Sequence, residues 1–315
     1  ASTVDSGAGN ATDVVLSFTD ATTFEGAVGG TNAIGDGTGP AIIIGSTGTT
    51  TFESTLATAS GITSANGTGT LTFQGNVTLG NGDTGTTLEG NTVLDGPLTV
   101  TVNHGGAVQI GTTPLDTDTL TVTNGSVTID ATANDASVTV NAATTLNADL
   151  TISVDTGDIT FNDVIDGSND LALNSTGTTT FNAAVGGTTP LLTVTTDAGG
   201  TTAINGGSVT TTGDQTYGDA VTLNSTTNAT TLTGNDITFA STLDGNGGAD
   251  NTESLTITAD GVTTFNGAVG GTEELATLLI NGGGTTVVDG TASTFEASTI
   301  TVDDDVTLNI STSFD

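Results

Sequence analysis

The ten-residue phrase TTFEGAVGGT at residues 22–31 recurs almost letter for letter as TTFNAAVGGT at 179–188 and TTFNGAVGGT at 263–272. A second phrase, DITFNDVIDG at 158–167, returns as DITFASTLDG at 236–245. Each phrase shifts by about eighty residues between its last two copies, which indicates a structural unit that repeats along the chain. Because repeat units bury their apolar faces against their neighbours, this pattern predicts a stacked architecture and not a single central core.

The segments between the turns show the alternation that is typical of β-strands. In Leu98–Val102 and Val306–Ile310, apolar residues occupy every second position, which is the pattern of a strand with one buried face. Gly, Asn, Thr and Asp interrupt every window that is long enough to hold a helix. The chain is therefore predicted to be all-β.

The spacing of the phrases predicts a parallel β-helix, or β-solenoid, of degenerate repeats. Steps of about twenty to thirty residues, each with two or three short strands, fit one coil of such a fold. Phe at an equivalent point of each coil would stack into an internal ladder, and Thr and Asn at the surface and at bends would form hydrogen-bonded ladders. Tandem antiparallel β-sandwich domains are the alternative that the irregular spacing leaves open. The repeats suggest an N-terminal strand segment at 1–20, a divergent β-repeat region at 21–157, and a clearer β-repeat region with a C-terminal strand at 158–315.

The charge balance of the chain is entirely one-sided. Its 315 residues include 35 Asp and Glu, one His and no Lys or Arg, for a formal charge of −35. Binding to nucleic acid needs cations that neutralise phosphate, and Schiff bases and phosphate clamps need Lys and Arg. We therefore expect no nucleic-acid partner, no enzymatic activity and no organic cofactor.

The composition also suits a place outside the cell. No apolar run approaches the roughly 20 residues of a membrane-spanning helix, so we expect a protein that does not span the membrane. Cys, Met and Trp are absent, which removes the usual targets of oxidation. The first residues lack the regions of an export signal, as they would after its cleavage. We expect an exported, extracellular or cell-surface protein.

The phrases at 263–272 and 236–245, together with INGGSVTTTGDQTYGDAVTL at 204–223, resemble the degenerate repeats of very large bacterial surface proteins. These proteins belong to the broad group of filamentous-haemagglutinin-like adhesins, and the resemblance is clearest from about residue 158 to 290. It implies secretion, a β-helical shaft and a role in adhesion or cell-surface architecture, with no catalytic residues to carry over.

This chain differs from that group in being short and free of basic residues. The difference favours a structural protein of the prokaryotic cell surface that assembles head to tail with copies of itself into an extracellular filament, sheath or layer. The alternative function is an adhesin shaft that binds a host or neighbouring-cell ligand, such as a surface glycan on another cell.

Several acidic clusters could offer oxygen ligands to Ca²⁺, which takes six to eight of them. None has the spacing of an EF-hand loop or of a calcium-binding β-roll repeat. Solvated turn carboxylates are the simpler interpretation, although a chain without internal cations has reason to recruit divalent ones. The candidate ligands are Asp303, Asp304, Asp305, Asp116 and Asp118, with the turn Asn81–Asp83 as a further site.

Paired carboxylates have the residue types of a glycoside hydrolase, as in Asp163 with Asp166 or Asp244 near Asp250. Such enzymes usually hold a sugar with aromatic and basic groups, and this chain has one Tyr, no Trp and no Arg, so catalysis is not expected. The lone His104 is interpreted as a turn residue and not as a base or ligand.

Many of the Asn-x-Ser/Thr glycosylation sequences arise by chance in a chain this rich in Asn and Thr, and they occur at Asn10, Asn66, Asn76, Asn124, Asn174, Asn224, Asn228 and Asn309.

Both ends of the chain have the alternation of a strand. Strand edges that stay unpaired invite another copy to add on, and head-to-tail contacts that do not close produce an open filament. Ordinary end strands, paired or capped within one monomer, are equally compatible with the pattern. The candidate inter-subunit residues are Val14, Leu16 and Phe18 near the start, and Val306, Leu308 and Ile310 near the end.

Overall fold

The structure is a computed structural model, and it describes residues 14–64, 69–82, 84–112, 117–246, 252–290, 294–309 and 313–314. The regular structure of these residues is entirely β-strand. No helix in this part of the chain is long and apolar enough to cross a membrane. The chain divides into two compact units, Ala1–Asp163 (unit 1) and Val164–Asp315 (unit 2).

Unit 1 contains eighteen short strands. They are β1 Val14–Leu16, β2 Thr22–Phe24, β3 Ile42–Ile44, β4 Thr50–Phe52, β5 Leu56–Thr58, β6 Ile62–Ser64, β7 Thr70–Phe73, β8 Val77–Leu79, β9 Thr86–Leu88, β10 Asn91–Asp95, β11 Leu98–Val102, β12 Val108–Ile110, β13 Thr119–Thr123, β14 Val127–Ala131, β15 Val138–Val140, β16 Ala143–Leu146, β17 Leu150–Val154 and β18 Ile159–Phe161. Successive strands go to three sheets in turn: a first sheet β1-β3-β6-β9-β12-β15-β18, a second sheet β2-β4-β7-β10-β13-β16 and a third sheet β5-β8-β11-β14-β17.

Unit 2 repeats this organisation, with strands of two to seven residues. Its strands are β19 Ile165–Gly167, β20 Leu171–Asn174, β21 Thr178–Phe181, β22 Val194–Thr196, β23 Thr201–Ile204, β24 Ser208–Thr210, β25 Gln215–Tyr217, β26 Ala220–Leu223, β27 Ala229–Gly234, β28 Ile237–Phe239, β29 Leu243–Asp244, β30 Ser254–Ala259, β31 Val262–Phe265, β32 Leu275–Asn281, β33 Thr285–Val288, β34 Thr294–Phe295, β35 Ala297–Val302, β36 Asp305–Leu308 and β37 Ser313–Phe314. Its first sheet is β21-β23-β26-β29, its second is β24-β27-β30-β32-β35 and its third is β20-β22-β25-β28-β31-β33-β36, with β34 paired to β37.

Each unit is a β-solenoid, because strands of the same sheet lie one coil apart and pair in parallel. Val108 pairs with Val138, 30 residues later in unit 1, and Thr201 pairs with Ala220, 19 residues later in unit 2. The prediction of a parallel β-helix is confirmed, and the alternative of antiparallel sandwiches is wrong. Variable loops at the corners absorb the unequal coil lengths, which explains the irregular spacing of the sequence.

The core of each unit lies between its three sheets. Strands alternate buried and outward residues, as in β17, where Leu150, Ile152 and Val154 are buried while the residues between them are not. The outward positions are mostly Thr, a β-branched residue that suits a pleated surface. Apolar alternation therefore decides which side of each strand faces the core.

The repeated phrase forms a strand and the corner that follows it. In the copy at 263–272, the buried Val269 bridges to Phe295 of the next coil, and Gly270 adopts a φ of 69°. A Cβ at Gly270 would lie 2.1 Å from the carbonyl oxygen of Glu296, so this position needs glycine for both conformation and space. The equivalent glycines of the other two copies have φ values of 72° and 68° and meet the next coil at the same distance.

The phrase does not belong to one particular face of the solenoid. In unit 2, the copy at 179–188 supplies β21 of the first sheet, whereas the copy at 263–272 supplies β31 of the third sheet. The phrase therefore encodes a single strand-and-corner step, and more than one sheet accepts it.

Two carboxylates link the two repeated phrases by hydrogen bonds. Asp244 is the ninth residue of the DITFASTLDG phrase, and its Oδ1 accepts hydrogen bonds from the backbone N–H groups of Thr272 (2.9 Å) and Glu273 (3.4 Å) in the next coil. Asp166 is the ninth residue of the DITFNDVIDG phrase and accepts the N–H of Thr188 at 2.8 Å. Each phrase pair is thus a physical contact in which one coil caps the corner of the next.

Aromatic rings form ladders inside each unit. In unit 1, Phe24 stacks on Phe52 and Phe52 on Phe73, with ring centroids 4.9 and 5.7 Å apart. Leu94 occupies the next position in this register. The predicted Phe ladder is confirmed over this run, but the prediction that each coil contributes a Phe is wrong, because an aliphatic side chain fills the same inward space.

Unit 2 has a ladder of its own in its third sheet. Tyr217 stacks on Phe239 at 5.4 Å and Phe239 on Phe265 at 5.3 Å, and Val288 follows in register. Asparagines at bends form polar ladders, as predicted: Nδ2 of Asn205 donates to Oδ1 of Asn182 at 2.7 Å. These ladders align the coils at the core and at the corners respectively.

Candidate functional site

The first described strand of unit 1 lies at an edge of its sheet. Strand β1 pairs on one side, with β3, and none of the other described strands pairs with it. Val14 and Leu16 are half-buried, while Val15 points outward and is 66% exposed. Phe18 is half-buried and packs edge-on against Phe24, with ring centroids 6.2 Å apart.

In unit 2, β36 lies at the edge of the third sheet as the structure describes it. Strand β36 pairs with β33 alone among the described strands. Val306 and Leu308 continue the inward ladders of the buried Thr286 and Val288, yet they are 47% and 50% exposed because no described coil covers them. The third predicted contact residue of this strand, Ile310, lies outside the described residues.

These two edges have the chemistry of strand addition. Each carries a row of backbone N–H and C=O groups that no described strand pairs, beside apolar side chains that are only partly covered. An extended segment of another chain could complete the hydrogen bonds and cover the side chains. Val14 and Leu16 lie in β1 and Val306 and Leu308 lie in β36, whereas Phe18 follows β1. The role of the candidate inter-subunit residues in assembly stays a prediction.

The predicted metal ligands near the end of the chain do not converge. Asp303 and Asp305 are exposed, and Asp304 is half-buried with its Oδ1 accepting the N–H of Gly283 at 3.2 Å. Asp118 is half-buried in unit 1, and Asp116 lies outside the described residues, as does Asp83.

In the part of the chain that the structure describes, no three His, Cys, Asp or Glu side chains are grouped so that they could hold a metal ion. Ca²⁺ binding at these carboxylates stays a prediction.

The carboxylates considered for sugar cleavage have structural contacts. Asp166 and Asp244 each cap backbone N–H groups of the next coil, as described above. Asp163 is half-buried at the end of unit 1, and Asp250 lies outside the described residues.

His104 is fully buried in unit 1, in the turn where the sequence placed it. Its Nδ1 lies 2.9 Å from the carbonyl oxygen of Gly106, which can only accept, so Nδ1 carries the proton. Nε2 therefore accepts from the hydroxyl of Thr86, 3.0 Å away, and that hydroxyl in turn accepts the N–H of Ile62 at 3.3 Å. Burial lowers the pKa of His104, so the ring is a neutral core residue.

Two buried acidic residues were not predicted from the sequence. Asp219 is 1% exposed in unit 2, and its Oδ1 accepts the N–H of Gly200 at 2.7 Å while Oδ2 accepts from Thr202 at 3.4 Å. Burial raises the pKa of Asp219, and the nearby charge of Asp197 raises it further. Because the chain has no Lys or Arg, no ion pair compensates this burial.

Glu253 is the second buried acid, also 1% exposed. Its Oε1 accepts from Nδ2 of Asn246 at 3.4 Å, whereas its Oε2 is buried without a hydrogen-bond partner. Burial raises the pKa of Glu253. No spacing in the sequence distinguished these two acids from the many exposed ones.

A polar network lies inside unit 2 around the single Tyr. The hydroxyl of Tyr217 donates to Oε1 of Gln215 at 2.9 Å, and Nε2 of Gln215 donates to the carbonyl oxygen of Thr233 at 2.7 Å. Burial raises the pKa of Tyr217 well above its ordinary value, so this hydroxyl stays protonated. The network is a satisfied core element and offers no open site.

Among the described glycosylation sequences, Asn76, Asn124, Asn224 and Asn228 lie between strands and Asn174 ends β20, while Asn10 and Asn66 lie outside the described residues. Asn124 and Asn228 are exposed and have positive φ values of 61° and 55°, and Oδ1 of Asn76 accepts the N–H of Thr99 at 2.9 Å. Glycosylation of these residues stays a prediction.

Comparisons with known proteins give no relative. No protein-family model matches the chain, and neither the curated proteins nor the solved structures contain a match. The β-solenoid fold is compatible with the β-helical shafts of surface adhesins, and any functional assignment must be argued from the fold and its edges.

Proposed function

We propose that this chain is a non-enzymatic structural protein, exported to a prokaryotic cell surface, whose copies join head to tail into an extracellular filament, sheath or layer. The observation that carries the proposal is a pair of strands, β1 in unit 1 and β36 in unit 2, that each pair on one side only among the described strands. Copies of this chain are the proposed partners, and nucleic acid is excluded by the lack of any Lys or Arg.

Strand addition between copies would use parallel backbone pairing of the kind that joins the coils, between β1 of the first sheet and β36 of the third. Parallel pairing would satisfy backbone groups at both edges and would bury Leu308 and Val306, which are each about half exposed. Burying such a side chain fully is worth about 1.5–3 kcal/mol relative to full exposure, so each half-exposed residue would gain about half of that.

Charge would oppose the contact. Asp305 at one edge and Asp20 and Glu25 beside the other are exposed, and each copy carries a formal charge of −35. Like charges repel most strongly at low ionic strength. We therefore expect assembly to need salt or a divalent cation such as Ca²⁺, which would bridge carboxylates between copies.

Electron microscopy and sedimentation of the purified chain test the proposal, with Ca²⁺ and with a chelator. Leu308→Asp adds a further negative charge at the edge of β36, and Leu192→Asp is the matched control, because Leu192 is 44% exposed and lies away from both edge strands. The proposal expects filaments of the unaltered chain and of the Leu192 variant, and none of the Leu308 variant.

Monomers under all conditions would contradict assembly and would favour the second candidate, an adhesin shaft. Saturable binding of isolated monomers to host or neighbouring cells would then support that function. Filaments that form equally well with Leu308→Asp would show that the edge of β36 is not the contact.

A further inference from the structure

The second sheet of unit 2 has a broad outer surface that neither proposed function uses. Its strands β27, β30, β32 and β35 have six or seven residues, whereas most strands elsewhere have three to five. Each of these strands therefore presents several outward side chains. We call this surface the threonine array, and it consists of Thr231, Thr233, Ser254, Thr256, Thr258, Thr277, Leu279, Asn281, Thr299 and Thr301.

The strand register arranges these side chains in straight rows. One row is Thr231–Thr256–Leu279–Thr301, a second is Thr233–Thr258–Asn281 and a third is Ser254–Thr277–Thr299. Adjacent strands lie about 4.8 Å apart, and alternate residues along a strand are about 6.6 Å apart. The array is therefore a two-dimensional lattice of hydroxyl and methyl groups with two fixed repeats.

The side chains of the threonine array have little conformational freedom. Thr is β-branched and stiff at χ1. The hydroxyl of Thr277 donates to the hydroxyl of Ser254 at 2.6 Å, and that of Thr258 donates to Oδ1 of Asn281 at 2.9 Å. A rigid surface loses little conformational entropy on binding, which favours a ligand that makes many weak contacts.

The array is uncharged in a strongly acidic chain. Of the 35 acidic residues, none occupies an array position, and the acids flank the strands instead. The half-buried Glu274 and Glu296 immediately precede two of the strands, and the exposed Asp260 and Asp303 follow two of them. Two copies placed face to face would bring these acidic rims together, so charge disfavours a second copy and favours a neutral ligand.

The array also lacks an aromatic side chain. Flat aromatic rings supply a large rigid area against which sugar rings could pack, and the ten array residues include no Phe or Tyr. A crystalline polysaccharide could form hydrogen bonds with the hydroxyls of the array, but it would have no aromatic ring to pack against. Water needs only hydroxyls that donate and accept and methyl groups that order the molecules between them.

We propose that the threonine array binds ice. Waters held by the rows of Thr at repeats of about 4.8 and 6.6 Å would form an ordered layer that a growing ice surface can join. Each contact is weak, and the fixed spacing makes them additive across the face. This proposal does not depend on assembly into filaments.

The full chain tests the proposal in an ice-affinity experiment, in which slowly growing ice partitions proteins between ice and liquid. Thr256→Tyr inserts a bulky side chain at the centre of the array, and Thr233→Tyr repeats the change in a second row. Thr216→Tyr is the matched control, because Thr216 is an equally half-buried outward Thr in the third sheet of unit 2. Circular dichroism confirms that each variant is folded.

We expect the unaltered chain and the Thr216 variant to enrich in ice, and the array variants to lose enrichment about tenfold. Exclusion of the unaltered chain from ice overturns the proposal, as does an equal loss in the Thr216 variant. So does a dimer of the unaltered chain that Thr256→Tyr dissociates in sedimentation, or binding to chitin or cellulose that the same change removes.

Discussion

Replacing the buried Thr263 by Val should stabilise unit 2. Thr263 lies on β31, is fully buried and pairs with Ile237 and Thr286 across the sheet. Its hydroxyl has no hydrogen-bond partner. Val has the same branched shape, so Thr263→Val exchanges an unsatisfied hydroxyl for a methyl group without changing the space that the side chain fills.

The expected gain is about 1–2 kcal/mol in the free energy of unfolding. Burying a hydroxyl without a partner costs about 1–3 kcal/mol in protein mutational data, and part of this cost disappears with the hydroxyl. Urea unfolding measures the gain as a rise in the midpoint at unchanged slope. Because Tyr217 is the single Tyr of the chain and is buried in unit 2, its fluorescence reports on the unfolding of this unit.

Thr202→Val is the matched control. Thr202 is equally buried in unit 2, but its hydroxyl bonds to Thr196 at 3.2 Å and to Oδ2 of Asp219 at 3.4 Å. Its removal leaves a buried carboxylate oxygen without this donor, so we expect a loss of about 1–3 kcal/mol. If both variants shifted the midpoint in the same direction, the assignment of satisfied and unsatisfied hydroxyls would be refuted.

Three further predictions use the same fluorescence assay of unit 2. Gly270→Ala should lower the free energy of unfolding by about 2–4 kcal/mol, because it adds a close contact to the strain of a positive φ. Gly283→Ala, at a φ of 86° with open space around it, should lower it by only about 1–2 kcal/mol. Equal losses in the two variants would argue against the close contact. Phe239→Ala removes a ring stacked on both sides and should cost about 3–5 kcal/mol, and a loss below 1 kcal/mol would contradict the ladder as a stabilising element. Burial raises the pKa values of Asp219 and Glu253, so their contribution to the free energy of unfolding is fully favourable below their ordinary pKa values of 3.8 and 4.5 and is lost as the pH rises through the folded-state pKa. The urea midpoint should therefore fall between about pH 4 and pH 7. This fall should be smaller in a variant that combines Asp219→Asn and Glu253→Gln.

The fold could be predicted because its two determinants are local. Alternation such as Leu98–Val102 selects the buried side of a strand, and the repeated phrases indicate the stacked units. The sequence did not show how many residues each coil takes, because corner loops of different lengths separate the strands. It also suggested one continuous Phe ladder, whereas Leu94 and Val288 take the same inward position as a ring in their coils.

The candidate edges were located by the same alternation, at Val14 and Val306. Sequence could not locate the buried acids Asp219 and Glu253, because their burial depends on which corner folds over them in the next coil. The threonine array was missed for a related reason. Thr is common on every strand, and only the register of Thr231 with Thr256 and their neighbours shows that the rows align.

Different sheets of the solenoid accept the same repeated phrase, and this affects how a gene for such a protein can lengthen. A duplicated tract need not contain a whole number of coils, since a step copied from one face can fold on another. Insertions of unequal length between steps are absorbed at the corners. Unequal recombination should therefore yield folded descendants more often here than in a solenoid whose faces differ, and a library of randomly joined strand-and-corner steps should be unusually rich in soluble products.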